Sequence, residues 1–104
     1  RKNDAGKFMW PGFGDNLRVL EWMLKRVTGQ AEAIETPIGL LPHAADLNTE
    51  GLAIDAATIE QLLHVDREEW QREMGAIAEY LESFGSRTPV ALVAEQERIA
   101  AALG

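Results

Sequence analysis

A mainly α-helical fold with one or two short strands is predicted by three observations. Apolar residues recur at helical spacing, most clearly Trp70, Met74, Ile77, Leu81 and Phe84, the 4-3-4-3 rhythm of one helix face. Side chains that favour helix starts stand directly before such stretches: Asp15 or Asn16, Asp55 and Asp66, with Pro89 opening a last one. Extended segments are confined to Lys7–Trp10 and Glu35–Pro42, each stopped by a proline.

Taken in order, Arg1 to Gly6 is polar and reads as a turn, and Lys7–Trp10 as a short strand with Phe8 and Trp10 on one face. Pro11-Gly12 and Gly14 then break the chain. Asp15 or Asn16 caps a helix over residues 17–28 whose apolar positions are Leu20, Met23, Leu24 and Val27. A Glu21–Lys25 pair supports it, Gly29 stops it, and Trp22 on its flank reads as core. Residues 30–54 hold no helical period; Glu35–Pro42 is an edge strand at best. The remaining residues, 55–104, read as three helices. Asp55 caps the first, with Ile54 and Ile59 as a hydrophobic staple, and His64 at its end faces the C-terminal dipole. Asp66 caps the second, with Glu69 in capping-box position. Thr88-Pro89 starts the third with proline at its first position, and Gly85-Ser86-Arg87 joins the last two as an antiparallel pair.

Composition bounds the function classes. The chain has 104 residues, enough for one core, and no cysteine, which removes disulfides and thiolate metal sites. No run of about 18 apolar residues or signal-peptide pattern is present, so the reading is of a soluble, cytoplasmic protein without a membrane partner. The net charge of −7 argues against nucleic acid as a partner. That charge is uneven: residues 1–26 hold six Lys/Arg against three Asp/Glu, a net +3, and the rest hold four against fourteen, a net −10. A basic end suits a nucleotide phosphate, although Arg1, Lys2 and Lys7 read more simply as a solvated terminus. His43 and His64, with no cysteine, make no metal site, and no Ser-His-Asp grouping or Gly-x-x-x-x-Gly-Lys loop is present.

The chemistry is concentrated in Lys7-Phe8-Met9-Trp10-Pro11-Gly12-Phe13-Gly14-Asp15-Asn16 and the helix after it. Glycines on both sides of Phe13 free its ring to project, beside a helix N-terminus whose N–H groups are unpaired donors. An aromatic face next to donors suits a base with an acceptor on its edge; guanine offers O6 where adenine offers an N6 donor. Asn16 carries both a donor and an acceptor for such an edge. On the residues alone a packed aromatic corner is the simpler reading.

The words change that balance. Phe8-x-Trp10-Pro11-Gly12-Phe13-Gly14-Asp15-Asn16-x-Arg18-Val19-Leu20-Glu21-Trp22-Met23 resembles the C-terminal region of GTP-dependent phosphoenolpyruvate carboxykinases. The likeness continues through Thr36-Pro37-Ile38-Gly39, Leu47-Asn48-x-x-Gly51-Leu52 and the Glu68-Glu69-Trp70 helix to Tyr80-Leu81-Glu82. It implies that this chain is the C-terminal helical part of a larger α/β nucleotide-binding domain, with residues 1–16 as its guanine-pocket loop. Phe8 and Phe13 would flank the base, Asn16 would contact its edge, and Phe13, Gly14, Asp15 and Asn16 would form the nucleotide-contacting run. The family has a further pocket phenylalanine just before the position of Arg1; many members carry Glu at Asp15 and Ser at Leu17.

The resemblance also implies a whole protein that converts oxaloacetate and GTP to phosphoenolpyruvate, GDP and carbon dioxide in gluconeogenesis. That lyase uses manganese or magnesium. The phosphate loop, metal ligands and oxaloacetate-binding arginines would lie upstream, so this chain holds no catalytic residue and is expected to be inactive alone. Its partners would be guanine nucleotide and the N-terminal part of the parent chain, the parent a monomer and the fragment able to self-associate through uncovered aromatics. The competing class is a non-enzymatic helical interaction module with an aromatic docking loop.

Overall fold

The computed structural model describes all residues, 1–104. Four helices and two short strands follow in the order α1 (Leu17–Val27), β1 (Ile34–Thr36), β2 (Gly39–Leu41), α2 (Ala56–Leu63), α3 (Arg67–Glu82) and α4 (Val90–Leu103). Short 3-10 turns cover Phe13–Asn16, Ala44–Asp46 and Gly85–Arg87. The fold class is therefore mainly α with short strands. The chain divides into two compact units, residues 1–35 with 40–64 and residues 36–39 with 65–104.

In the first unit, residues 1–9 fold back on themselves. Met9 N donates to Arg1 O at 3.1 Å, Asn3 N to Lys7 O at 2.9 Å, and Lys2 bridges Phe8. The Asn3 side chain closes the turn by accepting from Ala5 N and Lys7 N, both at 3.0 Å. Lys7–Trp10 is thus not a strand with Phe8 and Trp10 on one face. It makes one bridge, then Met9 turns inward and is buried while Phe8 stays exposed; an isolated ribbon this short before Pro11 cannot propagate. Arg1 is also more than a solvated terminus. Its Nη1 donates to Gln61 O and His64 O, both at 3.1 Å, so a guanidinium rather than the His64 side chain meets the last carbonyls of α2.

Helix α1 ends in a Schellman motif: Gln30 N donates to Lys25 O at 2.7 Å and Gly29 N to Arg26 O at 3.2 Å. That geometry needs a left-handed residue, and Gly29 supplies it at φ 75°. The helix turns Trp22 inward, against Leu47 and Ile59, with Trp10, Ile54, Leu62 and Leu63 packed around them. Trp22 is thus core as expected, while the apolar positions Leu20, Met23, Leu24 and Val27 are exposed. The extended segment also differs from the single edge strand expected. Pro37 and Ile38 form a tight turn, so 34–41 doubles back as a two-stranded hairpin, closed by Thr36 Oγ1 donating to Gly39 O at 2.6 Å.

Asp55 caps α2 by accepting from Thr58 N at 2.8 Å. Hydrogen bonds to Thr58, side chain first and backbone next, hold the Asp55 carboxyl below its ordinary value. A depressed carboxylate adds stability that is present at neutral pH and lost as the pH falls below about 4. Asp55→Asn keeps the acceptor and removes the titration. Urea midpoints of the variant are therefore expected to fall less than those of the parent between neutrality and that acid range; equal acid losses would contradict the assignment.

In the second unit, Asp66 caps α3 by accepting from Glu69 N at 2.9 Å. Helices α3 and α4 run antiparallel: Arg67 Nη1 and Gln71 Nε2 at the start of α3 donate to Leu103 O at 3.0 and 3.3 Å. At the other end Thr88 Oγ1 donates to Leu81 O at 2.6 Å. Met74 and Leu103 are buried at this seam. Phe84 falls beyond α3 and is exposed, its ring edge-on to Tyr80 with centroids 5.0 Å apart. Pro89 sits at the N-cap of α4, one residue outside the position expected for it.

Candidate functional site

The loop from Met9 to Asn16 is held at both ends, by buried Met9 and by α1, and its middle projects. Gly12 at φ 147° lets the chain reverse into the Phe13–Asn16 turn, where Asp15 N donates to Gly12 O at 3.1 Å. Phe13 is left 91% exposed. A ring in that state contributes little to folding, and its face is available for stacking.

Asp15 and Asn16 were the alternatives for capping α1, and neither side chain does so. Asn16 stands at the N-cap in helical geometry, φ −62° and ψ −22°, with no side-chain cap hydrogen bond. Its Oδ1 instead accepts from the indole Nε1 of Trp10 at 2.9 Å. The Asp15 carboxylate pairs with Arg18 Nε at 3.1 Å, both side chains partly shielded. Arg18 Nη1 also donates to Asn48 O at 2.9 Å, and Asn48 Nδ2 donates to Glu21 Oε2 at 3.3 Å. Glu21 completes the chain with Lys25 at 3.0 Å. The Lys25 hydrogen bond, and Asn48 after it, lower the Glu21 carboxyl from its ordinary value. The 3-10 turn is thereby tied to the Leu47–Glu50 loop through a fully polar bracket.

Phe13, Gly14 and Asn16 line one open hollow of about 590 Å³, together with Leu17, Val19 and Leu20. Gly14 and Asp15 border a second, of about 510 Å³, with Arg18, Glu21 and Asn48. Phe8, 75% exposed, lines a third of about 770 Å³ with Lys7, Pro11, Asp55 and Thr58. The ammonium of Lys2 lies 4.9 Å from the centre of the Phe8 ring and covers one of its faces. The structure brings Phe13, Gly14 and Asn16 to a common hollow, sets Asp15 on the adjoining one, and places Phe8 on a separate groove.

Sequence reasoning passed over Trp10, Arg18 and Asn48 as functional positions. The Asp15–Arg18 spacing of three was a legible sign of an ion pair. Nothing in the order of residues linked Arg18 to Asn48 or Trp10 to Asn16. No group of three or more His, Asp or Glu side chains able to hold a metal ion is formed.

Residues 1–102 match the family described as the phosphoenolpyruvate carboxykinase C-terminal P-loop domain. The chain belongs to the GTP-dependent phosphoenolpyruvate carboxykinase family. It is 46% identical over 99 residues to a phosphoenolpyruvate carboxykinase (GTP) of Arthrobacter sp. strain FB24, covering 95% of this chain and 16% of that protein. To the protein of the same name from Chlamydia pneumoniae it is 47% identical over 100 residues, covering 95% of this chain and 17% of the relative. The Paenarthrobacter aurescens protein, also so named, matches at 42% over 104 residues, covering 100% of this chain and 17% of its own. The chain thus spans about one sixth of the length of these carboxykinases. No helix is long and apolar enough to cross a membrane.

Proposed function

We propose that this chain supplies the guanine-recognition surface of a GTP-dependent phosphoenolpyruvate carboxykinase. The observation that carries the reading is the pairing of an exposed Phe13 ring with the Asn16 amide on one hollow, at the start of α1. Phe13 stacks on the base, Asn16 contacts its edge, and Gly14 and Asp15 complete the contacting run. Phe8, the other flanking aromatic that the resemblance implies, lines a separate groove beneath Lys2, so the stacking wall is assigned to Phe13. Stacking contributes roughly 1–3 kcal/mol per base, and discrimination comes from the edge.

The complete protein would convert oxaloacetate and GTP to phosphoenolpyruvate, GDP and carbon dioxide, in the cytoplasm and in the service of gluconeogenesis. Manganese or magnesium, held by residues outside this chain, would assist the phosphoryl transfer. We infer from the resemblance that the groups for that chemistry lie outside this segment and that the chain alone is inactive; turnover by the isolated chain above a buffer control would overturn this. We infer that the rest of the parent chain covers Leu24 and Val27, the exposed apolar residues of α1 away from the hollow. The docking-module alternative is not favoured, since family membership already accounts for the loop.

A ¹⁵N NMR titration of this chain with GTP, GDP and ATP tests the reading. Shifts centred on Phe13–Asn16 and selective for the guanine nucleotides are expected. Equal responses to ATP would overturn the role given to Asn16. A well-dispersed spectrum with no response would show that residues 1–104 do not hold a pre-formed pocket.

A further inference from the structure

Asn16 has given up the ordinary task of an N-cap asparagine. It sits at the N-cap of α1 without capping it, and its Oδ1 accepts from Trp10 Nε1 at 2.9 Å. An indole N–H only donates, so the amide oxygen must be the atom facing it, and the orientation of the amide is settled by chemistry. The Nδ2 group makes no hydrogen bond and remains as a pair of donors. Trp10 is itself held in place, half-buried against the Trp22–Leu47–Ile59 cluster.

We propose that Trp10 is a positioning residue that sets base choice by turning the Asn16 amide donor-side out. The inference rests on the proposed guanine contact of Asn16 and deepens it. With the oxygen committed to the indole, Asn16 presents donors to an incoming base. Guanine meets them with the O6 acceptor; adenine meets them with the N6 amino group, donor against donor. Without the indole N–H the amide rotates about χ2 at little cost, offers its oxygen, and the distinction between the two bases weakens.

The test measures binding of GTP, ITP, ATP and 2-aminopurine riboside triphosphate to the complete protein carrying this segment, as parent, Trp10→Phe and Asn16→Ala. Trp10→Phe keeps an aromatic ring against the core and removes only the donor. It is expected to weaken GTP and ITP, which both carry O6, by a common factor of roughly three to ten, the loss of one hydrogen bond. The 2-aminopurine nucleotide, which has no group at C6, is expected to be unaffected, and ATP, whose N6 donor can meet the freed oxygen, to hold its affinity or gain. A uniform loss across all four nucleotides would mean that Trp10 only packs, and would overturn the proposal. So would an unchanged GTP-to-ATP ratio in Trp10→Phe when Asn16→Ala lowers that ratio. A parent protein with no preference, or an Asn16→Ala variant that keeps it, would instead sink the underlying guanine reading. A second measurement needs no change at Trp10. The indole N–H resonance is expected to be protected from exchange in the parent and to lose protection in Asn16→Ala; an unprotected parent indole would remove the bond on which the proposal stands.

Discussion

Replacing Trp22 by alanine is expected to lower stability by about 3–5 kcal/mol, the range for truncating a large aromatic in a core. Trp22 is 6% exposed and sits at the centre of the cluster formed with Leu47 and Ile59. Every element of the first unit that bears on the loop leans on it: α1 carries it, α2 brings Ile59, and Trp10 packs against the same group. Its indole N–H, however, is buried and makes no hydrogen bond. An unpaired buried donor is a debt of about 1–3 kcal/mol. Trp22→Phe gives up some packing volume but also discards that donor, so it is expected to cost less than half of what alanine costs. Urea unfolding of the parent and both variants, followed by circular dichroism, measures the difference. A loss below about 1 kcal/mol for Trp22→Ala would mean that the cluster refills and is not what holds the loop. A Phe variant as damaged as the Ala variant would mean that the N–H does have a partner.

The helical framework was legible because its determinants are local. Asp55 and Asp66 cap the helices they precede, through bonds to residues three positions on. The Glu21–Lys25 pair and the Gly29 stop are likewise contacts within a turn or two. What escaped is what depends on partners far along the chain. Arg1 reaches the carbonyls of Gln61 and His64, and Arg18 reaches Asn48, across separations that no periodicity encodes. For α1, helical spacing alone did not tell which apolar residues are buried. Its apolar stripe at Leu20, Leu24 and Val27 has helical spacing, but Trp22 is the residue turned into the unit's own core. A stripe records that a face is apolar, not which body covers it. The site divides in the same way. Phe13 and Asn16 could be picked out from their types and from the resemblance, whereas the orientation of the Asn16 amide depends on an indole six residues back, across the Pro11-Gly12 reversal.

Phe13→Ala is expected to weaken nucleotide binding by roughly 5- to 150-fold, which corresponds to the ~1–3 kcal/mol of one base stacked on one ring. The reasoning turns on exposure. Phe13 is 91% exposed and belongs to no buried cluster, so removing its ring leaves the fold as it was, and the loss is confined to the ligand. Stacking does not discriminate between purines, because each presents a π-face. GTP and ATP should therefore weaken by the same factor in Phe13→Ala, while Asn16→Ala should change their ratio. Phe13→Trp, which enlarges the platform, should retain binding, and unfolding midpoints of both Phe13 variants should match the parent. Titrations of the complete protein with both nucleotides, alongside urea unfolding, separate the two quantities. Binding untouched by Phe13→Ala would remove the platform from the proposed pocket. A drop in stability as large as the drop in affinity would show that the ring is covered in the complete protein, and that Phe13 then packs rather than stacks.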